Sequence, residues 1–105
     1  TSYGKQPYGE WFEALHDKRT QAKIQARVGR VALGNFGYCR SVGEGVSELK
    51  IDYGPGFRVY FGQVGDTLVV LLSGGDKSTQ EKDIKKAQEY WKDYRRKHGK
   101  DEKDD

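Results

Sequence analysis

Residues 43–84 read GEGVSELKIDYGPGFRVYFGQVGDTLVVLLSGGDKSTQEKDI. On either side of Gly54-Pro55-Gly56, apolar residues alternate with polar ones, which is the pattern of two strands joined by a turn. A second turn follows at Gly65-Asp66, before another apolar run. The stretch therefore predicts two successive β-hairpins that end in a glycine-flanked Asp-Lys pair, just before a helix.

The alternation in the first hairpin predicts a register in which Tyr53 pairs with Phe57. The apolar residues of both strands then share one face and the polar residues share the other, whereas a slip of one residue would reverse every side chain. In this register the pairs on the apolar face are Ile51–Val59 and Leu49–Phe61, and the pairs on the polar face are Asp52–Arg58 and Lys50–Tyr60.

The second hairpin is predicted to turn through the two-residue loop Gly65-Asp66, with Val64 opposite Thr67. This register places Arg58 opposite Ser73. The following residues 68–72 are uniformly apolar, which indicates a central strand that is covered on both faces.

Three segments have helical periodicity. The first helix is predicted over residues 7–17 and the second over residues 18–33, and a short strand at residues 37–42 follows them. The last helix is predicted to begin near Ser78, because Ser78 and Glu81 have the spacing of a capping box. The apolar faces of the three helices comprise Trp11, Phe12 and Leu15; Ile24, Val28 and Val31; and Ile84, Ala87, Trp91 and Tyr94.

Together these elements predict an α+β fold: an N-terminal helical hairpin packed on a small antiparallel β-sheet of about four strands, with a C-terminal helix. The 105 residues suffice for one domain, predicted at residues 1–98, with a charged and disordered tail at residues 99–105. That tail ends in four acids and one lysine, so residues 1–100 carry +6 against +3 for the whole chain. This positive charge favours anionic partners such as nucleic acid, and a merely soluble surface is the alternative.

The composition predicts a cytoplasmic protein without cofactors. The single cysteine, Cys39, cannot form an internal disulfide, and a half-buried strand thiol is its expected state. No apolar run reaches the roughly 20 residues of a membrane span, so no membrane partner is expected. No secretory signal, metal-ligand spacing, P-loop or Ser/His/Asp arrangement is present.

The predicted registers bring Lys50, Arg58, Tyr60 and the Asp76-Lys77 loop to one place. Cations of this kind hold phosphate oxygens. Metal-free RNA cleavage needs a base, cations that stabilise the phosphorane, and an acid. We therefore expect Arg58 to stabilise charge, Lys50 or Lys77 to act as base, and Tyr60 to transfer a proton or stack on a base. Ordinary roles stay open, namely a cross-strand ion pair with Asp52 for Arg58, an exposed strand lysine for Lys50, and capping or orienting the loop for Asp76.

Other residues are candidates for holding RNA phosphates. Arg19, Lys23, Arg27 and Arg30 form a basic stripe along one face of the second helix, and a merely solvated helix face is the alternative. Arg40 in the first strand is a further candidate. Gly75 would let the backbone approach a ligand closely.

Four strings of this sequence resemble one known group of proteins: LGNFG (33–37), VGEGVSELKIDYGPGFRVYF (42–61), LLSGGDKSTQ (71–80) and DI (83–84). On these strings, residues 11–91 resemble the RelE/ParE superfamily of bacterial toxins, and in particular the addiction-module killer proteins related to HigB. Tyr38 departs from that pattern, because an acidic residue is expected there.

The resemblance implies a toxin of a type II toxin–antitoxin system, most simply a ribosome-dependent mRNA endoribonuclease that arrests translation. Its implied partners are a cognate antitoxin, of helix-turn-helix, HigA-like type, together with the ribosome and mRNA. In that branch, basic residues on the hairpin strands and near the last helix carry the chemistry, and Lys50, Arg58 and Lys77 match those regions. A ParE-like inhibitor of DNA gyrase and an inactive RNA- or protein-binding relative stay open, and so does self-association.

Overall fold

The computed structural model describes residues 7–37, 39–65 and 68–103, with side chains described for all of these except 68 and 98–103. Its elements are α1 (Pro7–Ala14), α2 (Lys18–Ala32), β1 (Cys39–Gly43), β2 (Val46–Ile51), β3 (Phe57–Val64), β4 (Leu68–Gly75), a 3-10 turn (Lys77–Thr79) and α3 (Gln80–Lys103). This α+β architecture confirms the predicted fold class. The departure at Tyr38, the residue Asp66 of the predicted loop and residues 1–6 lie outside the described residues.

The four strands form one antiparallel sheet in the order β1-β2-β3-β4. Among the described residues β4 is therefore an edge strand, and not the central strand that was predicted. Its apolar run is explained by its cover, since both α1 and α3 pack against it. The strand buried most completely is β3, in which residues 57–62 are all buried.

The face of the sheet that packs on α1 and α2 carries the larger apolar core, which we call the α2-side core. It contains the predicted apolar positions of the first hairpin and of the first two helices, which confirms the predicted sorting of faces. Cys39 lies at its margin, half-buried as predicted. The buried members are Ile24, Val31, Leu49, Ile51, Phe57, Val59 and Phe61.

The opposite face of the sheet packs on α3 and forms the α3-side core. Trp91 lies directly on Gly62 of β3, where a Cβ atom would overlap the indole ring. The apolar stripe predicted for the last helix is present here in full. The core comprises Val46, Tyr60, Leu72, Ala87 and Trp91, with Ile84 and Tyr94 partly buried beside them.

The register of the first hairpin differs from the prediction by two residues. Ile51, not Tyr53, pairs with Phe57, so that Lys50 lies opposite Arg58. Residues 52–56 form a wider turn in which the amide of Gly56 donates to the carbonyl of Tyr53, with glycines 54 and 56 at positive φ. Because the slip is an even number, every side chain stays on its predicted face.

The second hairpin also differs. Val64 pairs with Leu68 rather than with Thr67, so the connection spans residues 65–67. A β-bulge then adds Leu72 between the Phe61–Leu71 and Tyr60–Ser73 pairs. Past the bulge, Arg58 lies opposite Gly75 and not opposite Ser73.

Some helix boundaries differ from the prediction as well, although α1 and α2 begin at Pro7 and Lys18 as predicted. The first helix ends at Ala14, and Asp17 caps α2 by accepting from the Arg19 amide at 3.1 Å and from Thr20 Oγ1 at 2.8 Å. The turn before α3 is capped by Asp76 in a capping box with Thr79, not by Ser78 with Glu81. The helix α3 continues to Lys103, through most of the tail that was predicted to be disordered.

Candidate functional site

Three basic residues lie at the end of the sheet where β4 leads into the turn before α3. Lys50 is opposite Arg58 in the β2–β3 ladder, and Arg58 is opposite Gly75 in the β3–β4 ladder. A Cβ atom at Gly56 would lie 3.4 Å from Arg58 Nη1 and 3.9 Å from Lys77 Cβ, so Lys77 approaches the same place. We call Lys50, Arg58 and Lys77 the basic corner.

Arg58 is the buried member of the basic corner, with only 6% of its surface exposed. Its Nη1 donates to the carbonyl of Gly56 at 2.8 Å, and its Nε lies 3.7 Å from Glu48 Oε2. Nε itself is buried without a hydrogen bond. Among the described residues Nη2 has no hydrogen-bond partner, and this nitrogen is therefore the donor that an incoming anion can use.

Glu48 of β2 is the hub of the polar groups around Arg58. Its carboxylate is 3% exposed and accepts from Arg40 Nε at 2.8 Å, from Gln80 Nε2 at 2.8 Å and from the Tyr60 hydroxyl at 3.1 Å. Burial raises the pKa of Glu48, but the hydrogen bonds from Arg40 and Gln80 and the charge of Arg40 outweigh it, and the pKa lies below its ordinary value. Glu48 is thus a buried anion that ties β1, β3 and α3 to β2.

Tyr60 is buried completely and lies opposite Ser73 and Glu48, instead of opposite Lys50 as predicted. Burial and the neighbouring Glu48 carboxylate raise the pKa of its phenol. The hydroxyl consequently stays protonated and donates to Glu48. A completely buried ring offers no free face on which a nucleobase could stack.

Asp76 lies at the basic corner, but its carboxylate is used locally. Oδ1 accepts from the Ser78 amide at 2.9 Å and from Ser78 Oγ at 2.5 Å. The Ser78 hydrogen bond holds the pKa of Asp76 below its ordinary value, with a smaller contribution from the charge of Arg58. The contacts match the capping alternative for Asp76, and this cap orients the turn that carries the exposed Lys77.

A groove of about 620 Å³ opens beside Asp76, between α1 and α3, with the end of β4 as its floor. Aromatic and carboxylate side chains from the two helices line its walls. Its lining includes Glu10, Trp11, Ser73, Asp83, Lys86 and Tyr90.

Two glycines make the floor of this groove possible. A Cβ atom at Gly74 would overlap the indole ring of Trp11, and one at Gly75 would overlap the carboxylate of Asp83. The sequence predicted that a ligand would approach the backbone closely at Gly75. In the structure the side chain of Asp83 occupies that space instead. Asp83 is buried, and its Oδ2 accepts from Thr79 Oγ1 at 2.5 Å.

The basic stripe of α2 is not part of this corner. Arg19, Lys23 and Arg30 are exposed, and they belong to the helix that covers the opposite face of the sheet. Lys23 Nζ lies 5.5 Å from the centroid of the Tyr53 ring, a cation–π contact. Arg40 alone of the predicted phosphate-binding arginines joins the site, through Glu48, and 62% of its side chain is exposed.

Sequence reasoning missed Glu48 and Asp83. Each is a charged residue on the polar face of its strand or helix, where the sequence pattern predicts exposure to solvent. The docking of α3 against the sheet buries both. One feature of the sequence could have predicted the burial of Asp83. It lies one residue before the apolar stripe of the last helix, where that helix approaches Gly74 and Gly75.

The described residues also bear on metal binding and on membrane insertion. The part of the chain that the structure covers has no cluster of three or more His, Cys, Asp or Glu side chains placed to hold a metal ion. Within the same residues, every helix is too short or too polar to span a bilayer.

Comparison with known proteins identifies relatives. Residues 10–92 match the family described as "Phage derived protein Gp49-like (DUF891)". The chain is also 51% identical over 80 residues to an uncharacterized protein of Haemophilus influenzae (strain ATCC 51907 / DSM 11121 / KW20 / Rd), a match that covers 76% of this chain and 81% of that protein. No solved structure gives a significant match. The match to the family spans both hairpins, the basic corner and most of α3, and the chain therefore belongs to the Gp49-like family of phage-derived proteins, a toxin-type family similar to RelE and HigB.

Proposed function

We propose that this chain is the toxin of a type II toxin–antitoxin system of the HigB group, and that it is a metal-independent endoribonuclease that cuts mRNA on the ribosome and so arrests translation. The observation that carries the proposal is the basic corner. Lys50 and Arg58 are cross-strand neighbours in β2 and β3, and Lys77 comes from the turn before α3, yet the three lie at the same end of the sheet beside an open groove.

The residues of the corner have distinct roles in this proposal. Cleavage begins when the 2′ oxygen attacks the adjacent phosphorus, and negative charge accumulates on the phosphorane oxygens. Arg58, held rigidly by Gly56 and Glu48, offers Nη2 to those oxygens, and a fixed donor of this kind stabilises a transition state without reorganisation. Lys50 and Lys77 are exposed, so they hold the flanking phosphates as point charges and have a proton for the leaving 5′ oxygen.

Tyr60 and Asp76 support the site in this proposal. Tyr60 donates to Glu48, which in turn faces Arg58, and Asp76 fixes the turn that presents Lys77. The exposed cations of α2, with Arg40, attract ribosomal RNA from a distance, because long-range attraction needs charge but no defined geometry.

The proposed partners follow from the charge. A cognate antitoxin of helix-turn-helix, HigA-like type would silence the toxin by placing acidic side chains and an apolar anchor against the basic corner. Charge complementarity of this kind also speeds association, which suits an inhibitor that must capture a newly made toxin.

The test is induction of the protein in cells, with translation, transcript cleavage and DNA supercoiling followed in the same culture. The proposal expects early arrest of translation with cuts at a fixed position in codons, both abolished by Lys77→Ala. The matched control is Lys82→Ala, an exposed lysine one helical turn further along. A supercoiling defect with intact transcripts would instead identify a gyrase inhibitor, and an absence of both effects would identify a binding module.

A further inference from the structure

The groove between α1 and α3 adjoins the basic corner, because its lining includes Gly75, which is opposite Arg58 in the β3–β4 ladder, and Asp76, which precedes Lys77. Its volume of about 620 Å³ lies within the range of small-molecule sites, roughly 300–1,000 Å³. Trp11 and Tyr90 line opposite walls, and aromatic side chains are the usual platforms for unstacked bases. A nucleotide whose phosphate lies on the basic corner would therefore place its sugar and base in this groove.

The carboxylate best placed to act on that sugar is Asp83. Glu48 and Asp76 are already used, since Glu48 accepts three hydrogen bonds and Asp76 caps the turn. Glu10 also lines the groove, but it belongs to α1 and is not the carboxylate that lies over Gly75. Asp83 Oδ2 accepts from Thr79, whereas Oδ1 has no hydrogen-bond partner among the described residues. The carboxylate lies against Gly75, the residue opposite Arg58 in the ladder, and Lys77 follows two residues later.

We propose that the groove seats the ribonucleotide on the 5′ side of the scissile phosphate, and that Asp83 is the general base of the cleavage. Asp83 accepts the proton of the 2′ hydroxyl, and the 2′ oxygen forms a bond to phosphorus. The bond from phosphorus to the 5′ oxygen then breaks, and that oxygen takes a proton from the Lys77 ammonium. The products are an RNA with a 2′,3′-cyclic phosphate and one with a 5′ hydroxyl, so no co-reactant is needed. This inference rests on the proposed ribonuclease function.

Ser73 supports a polar occupant of the groove. Its side chain is buried on the groove floor, and its Oγ has no hydrogen-bond partner in the structure. A buried hydroxyl without a partner costs about 1–3 kcal/mol, so proteins rarely retain one without a use.

The experiment compares wild type, Asp83→Asn and Asp83→Glu in single-turnover cleavage of mRNA on programmed ribosomes at neutral pH. Loss of a general base lowers the rate about 10²-fold or more, so we expect Asp83→Asn to lose at least that. Asp83→Glu should restore part of the rate, because it restores the carboxylate. The matched control is Glu81→Gln, an exposed acid in the same turn of α3, which should cleave as wild type does.

A second measurement separates catalysis from structure. Binding of an mRNA with a 2′-deoxy sugar at the cleaved position should be nearly unchanged by Asp83→Asn, whereas Tyr90→Ala should weaken it about tenfold through lost stacking. Wild-type cleavage by Asp83→Asn, or equal loss of binding and rate in both Asp83 variants, would overturn the inference while leaving the ribonuclease proposal intact. If wild type itself cuts no RNA, the proposed function fails and the inference falls with it.

Discussion

Arg58 Nε lies 3.7 Å from Glu48 Oε2, and both side chains are almost wholly buried between β2, β3 and α3. An arginine at this depth needs a counter-charge, because an unpaired buried ion is far costlier than a paired one. Glu48 supplies that charge while three other donors hold its own carboxylate in place. The pair therefore fixes the position of the guanidinium, and neither partner can be lost without leaving a buried, uncompensated charge.

The first prediction concerns this pair. Glu48→Gln should lower the free energy of unfolding by about 3 kcal/mol, because it leaves the Arg58 charge buried without its partner. Arg40→Gln removes a donor to the same carboxylate, but from a side chain that is 62% exposed; such partners contribute less than about 1 kcal/mol. Urea unfolding followed by circular dichroism measures both. Equal losses of unfolding free energy in the two variants would mean that the buried pair contributes no more to stability than the exposed Arg40 does.

The stability of the protein should depend on pH through the ionisation of Glu48. The pKa of Glu48 is lower in the folded chain than in the unfolded chain, so the unfolded chain binds the proton more readily. The ionised carboxylate therefore favours folding at pH values above the pKa of the unfolded chain, which is about 4.3. The contribution is fully present at neutral pH and is lost as pH falls through the folded pKa.

Unfolding free energies of wild type and Glu48→Gln, measured between pH 7 and pH 3, should therefore converge towards the acid end. A difference that stays constant over this range would show that the carboxylate has the same pKa in the folded and the unfolded chain.

The variant Tyr60→Phe distinguishes a supporting role of the Tyr60 hydroxyl from a catalytic one. The change removes only the hydroxyl that donates to Glu48, and loss of one such hydrogen bond costs about 1 kcal/mol. If Tyr60 only supports the site, cleavage should persist at nearly the wild-type rate, whereas loss of a proton donor would lower it about 10²–10⁴-fold. Tyr53→Phe is the control, because Tyr53 is a partly buried tyrosine of the neighbouring turn.

The sequence predicted which face each strand residue occupies but not which residue lies opposite which. The alternation of Leu49 and Ile51 with Lys50 sets the face, and a slip of two residues keeps it. The register was set instead by the wide turn at residues 52–56 and by the bulge at Leu72, both of which depend on backbone geometry without a strong signal in the side chains.

The basic corner was predictable because its geometry survives that slip. A displacement of two residues moves a strand by about 7 Å, yet Arg58 and the turn at Lys77 stay at the same end of the sheet. The buried acids were not predictable. Glu48 and Asp83 become buried only when α3 docks on the polar face of the hairpin, and that contact joins segments far apart in the chain.

Docking of α3 gives a prediction for Gly62. A Cβ atom there would overlap the Trp91 indole, so Gly62→Ala should destabilise the protein by about 1–3 kcal/mol through overpacking. Gly29, in an exposed part of α2, has no atom within 4 Å of a Cβ position. Gly29→Ala should instead stabilise by about 0.5–1 kcal/mol, because alanine favours the helix. Thermal unfolding of the two variants should shift in opposite directions, and a stable Gly62→Ala would mean that Trp91 packs elsewhere.

The last prediction concerns the cations of α2. In the triple variant Arg19→Gln, Lys23→Gln, Arg30→Gln, ribosome affinity should fall and depend less steeply on salt, because each lost phosphate contact removes nearly one unit from the slope of log affinity against log salt concentration. The cleavage rate at saturating protein should stay unchanged, since α2 lies across the sheet from the basic corner. The matched variant Lys82→Gln, Lys85→Gln, Lys92→Gln removes the same charge from exposed positions of α3. If both triple variants lose affinity equally, net charge and not the α2 stripe draws the protein to RNA.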